Sequence, residues 1–231
     1  MKLELEEHEP RIGIVDRPLY SKQDRELHLD PSDGDSMQSI QEELPVILQH
    51  DFIVQIANGE FSGEGPAVHL GPCWVKGEAH LMVLGNIGNR DMVTVDAGIN
   101  GSFYGKPEHI EFAGLTLNGL TQFNGMAWVQ DCRIRGQGNA AISGKGGLVA
   151  YYQCDIGSQE TPYAAYPNMI HRLFIKGGTL RGSEQAINGP MGAMTTVQYT
   201  DLGEDTPRAT GAHRRLKSGV YAGERRLAFD G

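Results

Sequence analysis

The chain has 231 residues, of which 39% are hydrophobic, and it contains 31 glycines and 11 prolines. This is enough apolar material for a real core, and the glycines fall at repeat corners, which excludes a low-complexity disordered chain. The formal charge of −9 at pH 7 argues against sequence-independent nucleic-acid binding, which needs a positive field.

Residues 1–32 are charged, contain three prolines and show neither a helical nor a strand period. Such a segment cannot bury enough apolar surface to fold alone. We predict an attachment arm whose Ile12, Ile14 and Leu19 order against a partner; plain disorder is the alternative.

Residues 33–50 change character and predict a short amphipathic helix. Asp35 or Ser36 can cap it, and Pro45 should kink or end it. Its apolar residues recur at helical spacing: Met37, Ile40, Leu44 and Ile47. A helix directly before the first strand can cap the open end of a stacked β core.

From residue 51 the pattern changes to that of a strand, with alternating Phe52, Val54 and Ile56 before the turn at Asn58-Gly59. The run DGDSMQSIQEELPVILQHDFIVQIANGEFSGE, residues 33–64, resembles the opening of right-handed β-helix proteins in exposed appendages of tailed viruses, including those that infect haloarchaea. Those proteins share a DG-S-I-Q-A-I…LP…H…I…I..G.Y pattern, and Phe61 stands where they usually have an aromatic residue. The resemblance covers this start and, more loosely, the chain to about residue 204.

A ten-residue phrase recurs five times between Ile110 and Gly203. The copies are IEFAGLTLNG from Ile110, AWVQDCRIRG from Ala127, VAYYQCDIGS from Val149, LFIKGGTLRG from Leu173 and TTVQYTDLGE from Thr195. Their eighth residues, Leu117, Ile134, Ile156, Leu180 and Leu202, are spaced by 17, 22, 24 and 22 residues. A period near twenty indicates stacked repeats.

Within each copy the apolar or small residues fall mostly at the first and third positions and again at the sixth and eighth. This predicts two short strands around a bend, followed by a corner glycine with positive φ. A second echo links GQGNAAISGKGG from Gly136 with GSEQAINGPMGA from Gly182. One turn per repeat predicts an all-β parallel β-helix over residues 51–204, with about eight turns and longer loops between residues 65 and 109.

The three cysteines are Cys73, Cys132 and Cys154, and no CxxC pair is present. Cys132 and Cys154 occupy the same inward repeat position, so they form either a disulfide or two stacked buried thiols. The histidines show no metal-ligand spacing, and no cofactor motif fits, so we predict neither a metal nor a cofactor.

The seventh repeat position forms an outward column of Thr116, Arg133, Asp155, Thr179 and Asp201. Two turns of stacking separate Asp155 from Asp201 by about 9 to 10 Å, near the upper limit for the carboxylates of inverting glycosidases. Alternatively, Arg133 and Asp155 in this column form a structural cross-strand ion pair. Catalytic and structural interpretations both stay open.

A second outward group is aromatic. Trp128 and Phe174 share the second repeat position, and Tyr152 occupies the fourth position of the repeat between them. Such side chains can bind a glycan receptor by stacking on sugar rings, or they can pack beneath a loop or another subunit.

The repeat pattern ends before residues 205–231, which form a cap or a subunit contact. The resemblance implies a right-handed, pectate-lyase-like β-helix in a virion structural protein, a tail fibre, spike or capsid turret. It further implies a homotrimer that contacts a host surface glycan or glycoprotein, with residues 1–32 docking on other virion proteins. A polysaccharide depolymerase and a purely architectural joint are the alternatives. No apolar run is long enough to span a bilayer, so we expect no membrane insertion.

Overall fold

The computed structural model describes residues 17–62, 65–167, 172–188 and 194–202, and beyond them the backbone of four short strands. The predictions for residues 1–16 lie outside the described residues, as do Gly203 and much of the segment 205–231.

The described residues are mostly β-strand, with one helix, α1 (Gln38–Glu43), and three short 3₁₀ turns at Pro31–Asp33, Arg90–Met92 and Pro107–His109. The strands are β1 (Arg25–Leu29), β2 (Ile47–Leu48), β3 (Phe52–Ile56), β4 (Gly59–Phe61), β5 (Ala67–Val75), β6 (Leu81–Leu84), β7 (Val93–Val95), β8 (Gly98–Tyr104), β9 (Ile110–Ala113), β10 (Thr116–Leu117), β11 (Thr121–Gln130), β12 (Arg133–Ile134), β13 (Ala140–Gly144), β14 (Gly147–Tyr152), β15 (Asp155–Ser158), β16 (Tyr163–Pro167), β17 (Arg172–Lys176), β18 (Thr179–Gly182), β19 (Gln185–Asn188), β20 (Met194–Gln198), β21 (Ala209–Thr210), β22 (His213–Leu216), β23 (Tyr221–Ala222) and β24 (Arg225–Arg226).

Apart from the antiparallel pair β23 and β24, the paired strands of the described chain run parallel and form three ladders. Ladder A contains β1, β3, β6, β9, β11, β14, β17, β20 and β22; ladder B contains β4, β7, β10, β12, β15 and β18; ladder C contains β2, β5, β8, β11, β13, β16, β19 and β21. From β3 onward the chain visits A, B and C in turn, and the long strand β11 belongs to both C and A. We call one passage through the three ladders a circuit.

The strand registers confirm the repeat alignment and its two strands per copy. In ladder B the eighth residues pair in the order Leu117, Ile134, Ile156 and Leu180. In ladder A the third residues pair in the order Phe112, Val129, Tyr151, Ile175 and Val197. Because all of these side chains are buried, each circuit covers the apolar interior of the next.

The early circuits are longer than the later ones, as expected. The paired residues Val129 and Tyr151 are 22 positions apart, whereas 29 positions separate Phe52 from Leu81 and Leu81 from Ile110. Part of the difference lies in longer strands of ladder C, where β5 has nine residues and β8 has seven, against five in β13. Another part lies in the connection between β6 and β7, residues 85–92.

The interior is continuous and contains an aromatic cluster between ladders A and C. The ring centroids of Phe112 and Phe123 are 4.9 Å apart, and Phe103 lies 5.5 Å from Phe112 and 6.0 Å from Phe123.

Cys132 and Cys154 are buried free thiols, so the stacked-thiol alternative is correct. Burial raises the pKa of the Cys154 thiol well above its usual value.

The fifth repeat position, inside the bend, has left-handed backbone in all five copies. The φ angles there are 68° at Gly114, 47° at Asp131, 52° at Gln153, 74° at Gly177 and 50° at Tyr199. Among the predicted corner glycines, Gly136 and Gly157 have positive φ, but Gly119 and Gly182 do not. Gly119 is required for close approach instead, because a Cβ there would lie 2.1 Å from the Gly98 nitrogen.

The two copies of the second echo lie two circuits apart. Ile142 pairs with Ala165, and Ala165 pairs with Ile187, so strand β16 separates the two echo copies. The matching pairs Ala141-Ile142 and Ala186-Ile187 of the two copies are buried.

Folded structure begins earlier than the predicted arm boundary at residue 32. Strand β1 pairs with β3 over five residues, and Arg17 is buried, with its Nη1 donating to Gln41 Oε1 at 3.2 Å. Although β1 is rich in charged residues, it forms a strand here because β3 supplies backbone hydrogen-bond partners that an isolated segment lacks.

Helix α1 ends before Pro45, as predicted, but neither proposed cap is used. Its N-cap residue is Met37, and Asp35 Oδ2 instead accepts from the Asp30 backbone N–H at 2.9 Å. The side chains of Met37, Ile40 and Leu44 are fully buried in the common core.

Candidate functional site

The three predicted aromatic residues lie together on the outer face of ladder A. The rings of Trp128 and Tyr152 are parallel within 6°, with centroids 4.4 Å apart, and Phe174 lies 5.8 Å from Tyr152 at 48°. In register, Ala150 stands between Trp128 and Phe174, and its small side chain leaves room for the Tyr152 ring. Partial burial raises the pKa of Tyr152.

The stacking of these rings determines which kind of partner can contact them. Trp128 and Tyr152 cover one face of each other, and Tyr152 lies between the other two rings. A sugar ring packs on a free aromatic face, whereas a protein side chain can also pack against ring edges. The geometry therefore favours the alternative in which a protein surface covers the trio.

A second aromatic group, which the sequence analysis missed, continues this face toward the N-terminal circuits. Tyr20, Ile47, Trp74 and Tyr104 form one outward column of ladder C. The Trp74 and Tyr104 rings stack with centroids 5.0 Å apart, and their exposed fractions are 36% and 41%.

This column meets ladder A at strand β11. The register of β8 with β11 ends at Phe103 and Gly125, one residue before Tyr104 and Met126. From Met126 the column runs through Leu148 and Arg172 to Met194. We define the apolar stripe as Tyr20, Ile47, Trp74, Tyr104, Met126, Leu148 and Met194 together with Trp128, Tyr152 and Phe174.

The apolar stripe crosses eight strand positions, which corresponds to about 34 Å at the usual interstrand spacing. Arg172 is the charged side chain that interrupts the column within ladder A. Four members of the stripe, Tyr20, Trp74, Tyr104 and Met194, are at least 36% exposed. Contiguous exposed apolar patches of soluble proteins often mark contact surfaces.

The carboxylate column has the predicted register, but Asp155 is bound within an ion-pair network. Thr116, Arg133, Asp155, Thr179 and Asp201 follow one another in ladder B. Asp155 forms a short ion pair with Arg90, lies 3.6 Å from Arg133 Nη2 and accepts from Thr179 Oγ1 at 2.9 Å. Asp201 lies two strands along, beyond Thr179.

Arg90 forms hydrogen bonds to two successive bends of the chain. It precedes β7, yet its Nη1 donates to Asp131 Oδ1 at 3.1 Å and to the Gln153 carbonyl at 2.7 Å. Asp131 and Gln153 are the left-handed residues of two consecutive bends. The Arg90 side chain is only 17% exposed, so these charge-assisted bonds stabilise the bends.

Replacing Asp155 by asparagine should destabilise the fold by about 1 to 3 kcal/mol, because Arg90 and Arg133 lose the charge between them. Chemical denaturation monitored by circular dichroism measures this change. Glu60→Gln is the control, since Glu60 lies on the same outward column at the exposed start of ladder B. Equal stability of D155N and the unmodified protein would contradict the structural role.

Two adjoining clefts lie at the corner between ladders B and C. The acidic cleft, of about 670 Å³, is lined by Asp96, Asn118, Arg135 and Glu160 among others. Asn118 Oδ1 is buried and accepts no hydrogen bond from any described residue. Asp96, Asn118 and Arg135 each directly follow one of the paired ladder B residues Val95, Leu117 and Ile134, so they form one register column. Glu160 lies in the next connection from ladder B to ladder C.

The tyrosine cleft, of about 610 Å³, is lined by Asn139, Ser143, Tyr163, Tyr166 and Asn188 among others. The centroids of the two tyrosine rings are 5.9 Å apart with planes at 28°. A hydrogen bond with Glu184 raises the pKa of Tyr163. Gln137 and Gly138 line both clefts, so one turn separates them.

No family model, curated protein or solved structure matches the chain. Within the described ranges, no three or more His, Cys, Asp or Glu side chains are grouped so as to hold a metal ion. The part of the chain that the structure covers also contains no helix of the length and apolarity needed to cross a membrane.

Proposed function

We propose that the chain is a virion structural protein, a right-handed parallel β-helix displayed on a tail or capsid appendage. The repeated passage through three parallel ladders with matched registers supports the β-helix. The resemblance of residues 33–64 to viral appendage proteins supports the virion location. A stack of this kind is long and rigid, and it leaves its loops and outer faces available for contact with other molecules.

The observation that carries the proposal is the apolar stripe, which runs along the ladders from Tyr20 to Met194. A partner that covers it must be equally long and straight. A second copy of this chain, aligned side by side, has that shape and the same stripe. Closed symmetric association of three copies then buries all the stripes around one axis.

In this proposal Trp128, Tyr152 and Phe174 are subunit contacts, and the host glycan or glycoprotein binds elsewhere on the assembly. Asp155 lies between two arginines, so no observation favours it with Asp201 as the acid and base of a depolymerase. Docking of residues 1–32 on other virion proteins remains a prediction.

The role of the apolar stripe in self-association can be tested by measuring the molar mass of two double variants with light scattering coupled to size-exclusion chromatography. We expect the unmodified protein to have the mass of a trimer and Trp74→Ser with Tyr104→Ser to have that of a monomer. The matched control is Ile87→Ser with Met92→Ser, which removes two exposed apolar side chains outside the stripe and should leave the trimer intact.

A monomeric unmodified protein at about 0.1 mM would contradict the proposal, as would a trimer that survives W74S/Y104S. Far-ultraviolet circular dichroism of each variant separates dissociation from unfolding, because the two stripe residues lie on the outer face of ladder C.

A further inference from the structure

The acidic and tyrosine clefts form one elongated site, which we call the double cleft. They share Gln137 and Gly138, and they extend from the connections after ladder B onto the outer face of ladder C. Each volume lies within the range of about 300 to 1,000 Å³ that is usual for ligand pockets. A single extended molecule can therefore occupy both parts by crossing the turn at residues 136–139.

The acidic cleft presents hydrogen-bonding groups of several kinds. Asp96, Glu160 and Asn118 supply acceptors, and Arg135 supplies donors. The buried Asn118 Oδ1 lacks a donor among the described residues. Hydroxyl groups both donate and accept hydrogen bonds, so they suit this mixed set of donors and acceptors.

The tyrosine cleft adds an apolar surface beside polar groups. Tyr166 is 37% exposed, and the two residues between it and Tyr163, Ala164 and Ala165, are buried. Both tyrosine rings therefore turn outward from one short strand. Asn139 and Asn188 lie at the same cleft and can bind hydroxyls on the edge of a ring that packs on the tyrosines.

We propose that the double cleft binds a neutral oligosaccharide, with hydroxyls paired in the acidic cleft and a sugar ring packed on Tyr166. Two carboxylates face one guanidinium in the acidic cleft, which disfavours phosphate and sulfate groups. The many amide and carboxylate groups disfavour an acyl chain, since burying them unpaired is costly. The inference goes beyond the proposed self-association and uses a different corner of the molecule.

Binding can be measured by saturation-transfer NMR and calorimetry with linear tetrasaccharides of glucose, galactose, mannose and N-acetylglucosamine, and with a heparin tetrasaccharide as the anionic probe. We expect saturable binding of at least one neutral tetrasaccharide. Tyr166→Ala and Glu160→Gln should each weaken it at least about tenfold. Tyr199→Ala, which removes a 56% exposed tyrosine outside the double cleft, should leave it unchanged.

Three results would overturn the proposal: no saturable binding of any neutral probe, binding of the heparin fragment alone, or equal affinity in Y166A, E160Q and the unmodified protein. The monomeric W74S/Y104S variant should bind the tetrasaccharide as the unmodified protein does. Loss of the trimer and loss of sugar binding are therefore separate outcomes, so a failure of one proposal is distinguishable from a failure of the other.

Discussion

Replacing Gly178 by alanine should lower the free energy of unfolding by more than about 3 kcal/mol. Its φ is +70°, and a Cβ at this position would lie 1.9 Å from the Cys154 carbonyl oxygen of the neighbouring circuit. That oxygen accepts from the Thr179 N–H at 3.0 Å, so it cannot retreat without breaking the ladder. Urea denaturation monitored by circular dichroism measures the loss.

Gly77→Ala separates the steric effect from the backbone effect. Gly77 has a similar φ of +64°, but a Cβ at this position would meet no atom within 4 Å, so the expected loss is only about 1 kcal/mol. Similar losses of unfolding free energy in G178A and G77A would contradict the steric argument. They would mean that neighbouring circuits move apart to accommodate the new methyl group.

Replacing Phe112 by alanine should lower the free energy of unfolding by about 3 to 5 kcal/mol. Phe112 is 1% exposed and contacts Phe103 and Phe123 across the space between ladders A and C. Removing its ring leaves a cavity that strands fixed by parallel ladders cannot close. Phe112→Leu retains most of the volume and should cost about 1 kcal/mol.

The same denaturation assay distinguishes the two substitutions, and thermal unfolding should place them in the same order. A loss below about 1 kcal/mol for F112A would mean that the interior between these ladders repacks freely. It would also contradict a core in which each circuit is fixed by its neighbours.

The repeated circuits could be predicted because their registers follow directly from residue spacing. Leu117, Ile134, Ile156 and Leu180 recur at intervals of 17, 22 and 24 residues, and each must face the interior for the stack to form. The same register also predicts that the three aromatic residues lie on adjacent strands and that Asp155 lies in one column with Arg133. The bend at positions four and five was likewise evident, although its left-handed residues are not all glycine.

The double cleft was missed although part of it follows the repeat. Asn118 and Arg135 occupy the ninth position of the repeat, and Asp96 lies in register with them. The connections that follow differ in length from one circuit to the next, so residue spacing does not place Glu160 or the tyrosine cleft beside them. The N-terminal half of the apolar stripe was missed for a similar reason. Tyr20, Ile47, Trp74 and Tyr104 are 27 to 30 residues apart, outside the spacing of the clear repeats.

Strand β1 was missed because its own residues are polar. Glu26 and His28 alternate with Leu27 and Leu29, but the charges around them resemble those of a solvated tail. The parallel pairing with β3, and not local propensity, fixes the conformation.

The turn that separates the two clefts connects β12 to β13 and supplies no residue to either strand. A Cβ at Gly136 would lie 2.5 Å from the Ala141 Cα, but one at Gly138 would meet no atom within 4 Å. The φ of +67° at Gly138 still favours glycine. Natural variation or a randomised library at positions 137 and 139 can therefore diversify ligand preference while the stacked scaffold stays the same. Recognition could evolve here faster than architecture.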